Sequence, residues 1–88
     1  MNNERRKQIE AVKERIAALQ EMAEEIKTDL EQIRDDEQEY FDNMPEAFQE
    51  GEKGQRAEAA VSALDDVISD IESMIDGDFD GNLDTAAE

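Results

Sequence analysis

The sequence has no cysteine and no histidine. Lacking the first, it has no disulfides, thiol nucleophiles or thiolate metal ligands; lacking the second, it has no imidazole for zinc, for acid–base catalysis or for a pH switch. Tryptophan is absent too, and proline occurs once. No apolar run is long enough to span a bilayer, and the opening "MNNERRKQIE" has no apolar stretch behind its charges. No secretory signal is therefore expected, and the cytosol is the default compartment. Bases are scarce as well: nine Lys/Arg stand against twenty-six Asp/Glu, a formal net charge of −17. Such a chain repels nucleic acid and anionic membranes and attracts basic partners or cations.

What is present is carboxylate, unevenly placed. Residues 1 to 20 carry five bases (Arg5, Arg6, Lys7, Lys13, Arg15) and three acids, a net of +2, whereas residues 21 to 88 carry a net of −19. The chain is electrically bipolar. At 88 residues it forms one small domain with a modest core and no deep catalytic pocket. The adjacent pairs Asp35-Asp36 and Asp65-Asp66 do not face the same way on a helix, so paired-carboxylate chemistry is not expected and the chain does not read as an enzyme.

Apolar residues recur at alternating steps of three and four through Ile9, Val12, Ile16, Leu19, Ala23, Ile26, Leu30 and Ile33, and Tyr40 resumes the pattern after Glu37. This is a coiled-coil seam. It predicts a first helix over roughly residues 4 to 40, about 55 Å long. A second periodic segment, Ala57, Val61, Leu64, Ile68, Ile71 and Ile75, is overlapped by a parallel row through Ala60, Leu64, Val67, Ile71 and Met74. A second helix, about 55 to 76, is thus apolar over a wide arc and is expected to touch helices on two sides. The fold class is all-α: an elongated antiparallel, coiled-coil-like hairpin, pairing into a dimeric four-helix bundle. With Tyr40 opposite Arg56, Asp76 falls opposite about Gln20, which leaves Ile9, Val12, Ile16 and Leu19 on an uncovered overhang. That stripe is the expected homodimer interface.

The connector, residues 41 to 54, holds the only proline and two of the four glycines. Pro45 suits the start of a short turn of helix, Gly51 and Gly54 permit chain reversal, and the aromatics Tyr40, Phe41 and Phe48 are expected to cap the open end of the hairpin. The stretch "YFDNMPEAFQEGEKGQRAEAAVSALDDVISDIE", following "IRDDEQE", resembles a set of small acidic proteins encoded in phages and prophages. These share a tyrosine-phenylalanine-aspartate-asparagine-methionine-proline core, a Gly-rich turn and an acidic Ala/Leu-rich helix. The resemblance covers about residues 30 to 75. It implies a helix-loop-helix form and a bacterial host cytoplasm, and it carries over no functional residue.

The end of the chain, "DGDFDGNLDTAAE", admits three readings. Counted from Asp76 as an EF-hand loop, it sets Asp78 at position 3, Asp80 at 5, Gly81 at 6, Asn82 at 7, Leu83 at 8 and Asp84 at 9. Position 12, which needs a bidentate Glu, is Ala87, so only weak calcium binding is expected, in the range of about 10⁻⁴ to 10⁻³ M. In the second reading Gly77 ends helix 2 as a left-handed cap and residues 77 to 88 form a free acidic tail. In the third the tail docks on the basic overhang: Asp78, Asp80 and Asp84 meet Arg5, Arg6, Lys7 and Lys13, while Phe79 and Leu83 cover Ile9 and Val12.

For function, the acidic field suggests a negatively charged decoy that imitates DNA and blocks a basic, nucleic-acid-binding host protein. The expected contact residues are Glu25, Asp29, Asp35, Asp36, Glu39 and Asp42. Direct binding of nucleic acid or membrane is not expected, nor a cofactor beyond weak calcium. The alternative is a coiled-coil assembly module acting through the overhang.

Overall fold

A computed structural model describes residues 1–88 as four helices, α1 (Asn3–Asp42), α2 (Glu46–Gln49), α3 (Glu52–Ile75) and α4 (Phe79–Ala86), with no strand. The molecule measures 67 × 16 × 14 Å with a radius of gyration of 20.1 Å. A compact domain of this length would have a radius of about 12 Å. The elongated all-α hairpin expected from the periodicity is therefore the fold observed.

α1 starts where Asn2 accepts a hydrogen bond from the Arg5 amide at 2.8 Å, satisfying one of the helix's orphan donors. It ends at Asp42, because Pro45 disfavours helical backbone at Met44. α2 is a single turn behind Pro45, and the Gln49 Nε2 donates to the Phe41 carbonyl at 3.0 Å, tying that turn back to α1. α3 begins at Glu52, earlier than the expected residue 55, with Gly51 as its N-cap.

The chain reversal uses no left-handed backbone, since no residue has positive φ. Gly54 lies inside α3 and is buried; a Cβ there would sit 2.0 Å from the Gln49 carbonyl oxygen. Its part in the chain reversal is to let α2 approach α3 closely. Gly77 likewise is no left-handed cap. α3 closes on Asp76 in right-handed backbone, and the Phe79 ring lies where a Gly77 side chain would be.

α1 and α3 pack antiparallel along one seam. Only Ala23, Gly54, Ala57 and Ile68 are buried, because two helices side by side leave every other apolar residue partly open to water. The seam's position on α1 differs from the sequence expectation. Ile9, Ile16, Ala23 and Leu30 turn inward, but their neighbours at the interface are Lys13, Gln20, Lys27 and Arg34, all partly covered. The other apolar row of the coiled-coil pattern stays outside.

Candidate interaction surfaces

The polar row on α1 recurs every seventh residue, and each member links to the returning chain. Lys13 Nζ lies 2.7 Å from an Asp84 carboxylate oxygen, Lys27 Nζ 3.1 Å from Glu72, and Arg34 Nη1 3.0 Å from Asp65. Between them Gln20 Nε2 donates to the Ile75 carbonyl at 3.2 Å, close to the Asp76–Gln20 register inferred from the sequence. The hydrogen bond to Asp84 raises the Lys13 pKa above the ordinary lysine value, and that to Glu72 does the same for Lys27. Arg34 is raised by its bonds to Asp65 and Asp35. Sequence reasoning missed this ladder, although a basic or amide side chain at every seventh position was its visible signal.

The ladder fixes one edge of the hairpin as polar. The opposite edge carries Val12, Leu19, Ile26, Ile33 and Tyr40, again spaced by seven and each 42 to 54 % exposed. On α3 the matching residue is Val67, 46 % exposed and about 200° around the helix from Asp65. This apolar edge takes in only part of the expected overhang. Val12 and Leu19 belong to it, whereas Ile9 and Ile16 are half-buried. Val12, Arg15, Ile16, Ala18, Leu19 and Met22 line a shallow hollow of about 460 Å³. At the far tip Tyr40, Asn43, Met44, Pro45, Phe48 and Lys53 line another of about 260 Å³. Tyr40 and Phe48 are thus more than half exposed instead of capping the hairpin from inside.

The acidic end is the helix α4 and not a free tail. Asp78 is its N-cap, accepting from the Gly81 amide at 3.0 Å, and Asn82 Nδ2 donates to the Asp78 carbonyl at 3.0 Å. Asp76 caps α3, Asp80 lies in the first turn of α4, and Asp84 pairs with Lys13. Helical backbone across Phe79–Ala86 turns these oxygens outward in sequence, so the EF-hand arrangement is not formed, and no three carboxylates gather at one point. α4 lies along the start of α1: Leu83 lines a hollow with Met1, Arg5, Gln8, Ile9 and Val12. Arg6 Nε donates to the Ala87 carbonyl at 2.8 Å, a cation at the end of a helix where the dipole is negative. Of the expected pairings Asp84 with Lys13 is present, while Asp78 turns back to its own helix and the Phe79 ring lies against Gly77.

No protein family, no curated protein and no solved structure matches the chain. Its surfaces therefore have to be read on their own chemistry.

The six acids singled out from the sequence are all exposed on α1. Glu25, Asp35, Glu39 and Asp42 lie on its far side from α3; Asp29 and Asp36 flank the apolar edge. Three of the six have side-chain partners: Asp35 shares Arg34, Asp36 accepts from Gln32 at 2.9 Å, and Asp42 accepts from Gln38 at 2.9 Å. Glu25, Asp29 and Glu39 stand unpaired. No helix is long and apolar enough to cross a membrane.

Proposed function

We propose that this chain is a non-enzymatic, acidic binding protein that occupies the nucleic-acid-binding cleft of a basic partner. The observation that carries the reading is the placement of Glu25, Asp29, Asp35, Asp36, Glu39 and Asp42 on the exposed half of one uninterrupted helix. From Glu25 to Asp42 is 17 steps, about 26 Å, so the six carboxylates recur on average about every 5 Å, against about 3.4 Å between phosphates along one DNA strand. A helix of 40 residues holds such an array rigid, so ordering it on binding costs little entropy. Of the basic residues on α1, Arg5, Arg6 and Lys13 lie at the other end, and Lys27 and Arg34 reach into the ladder, Arg34 also meeting Asp35. The loop's resemblance to phage-encoded proteins supports a bacterial cytoplasm as the setting.

The test is capture from a bacterial lysate at low and high salt, followed by titration of the captured protein with the chain and with a variant carrying Asn or Gln at all six positions. Raising salt from 0.1 M to 1 M shortens the screening length from about 10 Å to about 3 Å and should abolish binding. Affinity that ignores salt, or survives the sixfold substitution, refutes the proposal.

A further inference from the structure

The row Val12, Leu19, Ile26, Ile33 and Tyr40 is a coiled-coil seam with nothing against it. In a chain with four buried residues out of 88, these exposed apolar groups are the largest reserve of burial left. We propose that this edge pairs with a second copy of the chain, the two α1 helices running antiparallel across a twofold axis at Ile26. The inference rests on the apolar row and does not require the acidic-decoy reading, although Asp29 and Asp36 flank that row.

Three observations select a second copy in that orientation. The first is the row itself, which is symmetric about Ile26: antiparallel pairing sets Val12 against the second copy's Tyr40 and Leu19 against its Ile33. The hollow lined by Val12, Ile16, Leu19 and Met22 then receives the aromatic tip that the hairpin leaves exposed.

The second is charge. Arg15, Met22, Asp29 and Asp36 flank the row at the next position of the seven-residue repeat. Antiparallel pairing brings Arg15 alongside the second copy's Asp36. Parallel pairing gives Arg15 no such partner and stacks two acidic tips at one end, which like-charge repulsion opposes.

The third is area. From Val12 to Tyr40 the edge runs 28 residues, about 42 Å, and the hairpin is 16 Å wide. Pairing covers about 670 Å² on each chain, about 1,300 Å² in total, at the lower end of the range of stable specific interfaces.

The experiment combines sedimentation with engineered cysteines, which are unambiguous in a chain that has none. The wild type is expected to sediment as a dimer, and Ile26→Asp to weaken association on the order of a hundredfold with helicity unchanged. Ile26→Cys alone should form a disulfide-linked dimer on oxidation. Val12→Cys and Tyr40→Cys should each remain unlinked alone but link when mixed. A wild type that is monomeric throughout overturns the proposal, as does a dimer in which Ile26→Cys fails to link. Self-linking of Val12→Cys overturns the antiparallel arrangement.

Discussion

Replacing Gly54 by alanine sets two effects against each other, and the structure decides the sign. In an exposed helix interior the change stabilises by about 1 kcal/mol, because alanine is the better helix former. Here the added Cβ would lie 2.0 Å from the Gln49 carbonyl oxygen and 2.5 and 2.6 Å from the Gln49 carbonyl carbon and Cα. All three are backbone atoms, so no side-chain rotation relieves the overlap. Opening 2.0 Å to an ordinary 3.4 Å contact moves α2 away by roughly 1.4 Å, which also breaks the 3.0 Å bond from Gln49 to the Phe41 carbonyl. Overpacking of this kind costs about 1–3 kcal/mol, and the lost hydrogen bond about 1 more. The net expectation is a loss of about 2 kcal/mol, a fall in Tm of about 8–16 °C by far-ultraviolet circular dichroism. Gly51→Ala is the control: its nearest atom would be 3.5 Å away, and a Gly-to-Ala change at an N-cap costs well under 2 kcal/mol. A Gly54→Ala protein that melts at or above the wild type refutes the close-approach argument.

Four further outcomes follow from the ladder, α4 and the net charge. The lysine rungs carry raised pKa values in the fold, so their contribution is complete below the ordinary lysine value of about 10.4 and is lost as pH climbs through the raised ones. Tm should therefore drop above that value, and the double variant Lys13→Arg/Lys27→Arg should flatten the drop; an unaltered profile would count against the ladder. Leu83→Asp should undock α4, read as faster amide exchange in Phe79–Ala86 with α1 and α3 unchanged, and equal exchange rates would show that α4 does not depend on this contact. With a net charge of −17, added sodium chloride should raise Tm, because screening relieves more repulsion than the few ion pairs lose; a monotonic fall contradicts this. Calcium titration should give the same heat for wild type and Asp78→Asn/Asp80→Asn, since Asp78 is engaged as a helix cap; a calcium-dependent heat lost in the variant would restore the metal reading.

The sequence made the hairpin legible because a period near 3.5 residues, sustained from Ile9 to Ile33, has no other ready structural meaning. Register was legible for a related reason: a connector of fixed length leaves few ways to bring Ile75 back beside Gln20. The direction in which α1 turns was harder to read. A hydrophobicity count favours Val12, Leu19, Ile26 and Ile33 for the interface, yet Lys13, Gln20, Lys27 and Arg34 are there. Their alkyl or amide stems cover the seam while their ends meet Asp84, Ile75, Glu72 and Asp65. Cross-chain partners this distant in sequence do not appear in any local pattern. The end of the chain was ambiguous for the opposite reason, because aspartate spaced by two with glycine fits a metal loop. The same residues supply an N-cap at Asp78 and an apolar pair at Phe79 and Leu83, four apart, which fits a short helix just as well. Docking against α1 resolves that ambiguity, and docking is a tertiary fact.

The two edges of the hairpin are consequences of one choice. α3 has nine candidate apolar positions, two rows of them overlapping, but a single neighbouring helix can face only one row. Opposite charges at positions 13, 27 and 34 with 84, 72 and 65 draw the contact toward the polar side. Every degree of that rotation exposes the other apolar row further. Had the hairpin closed on its most hydrophobic seam, the lysines and Arg34 would lie free on the surface, the acids opposite them would repel one another unrelieved, and no continuous apolar edge would remain. Because it closes on the charged side, the chain pairs Lys13, Lys27 and Arg34 internally and leaves a continuous apolar strip exposed. Three surfaces result: Glu25, Asp35, Glu39 and Asp42 on the back of α1, the apolar row on one edge and the ladder on the other. Asp29 and Asp36 flank the apolar row, so Ile26→Asp and a fourfold replacement of Glu25, Asp35, Glu39 and Asp42 are the variants that test the two proposals separately in the same scaffold.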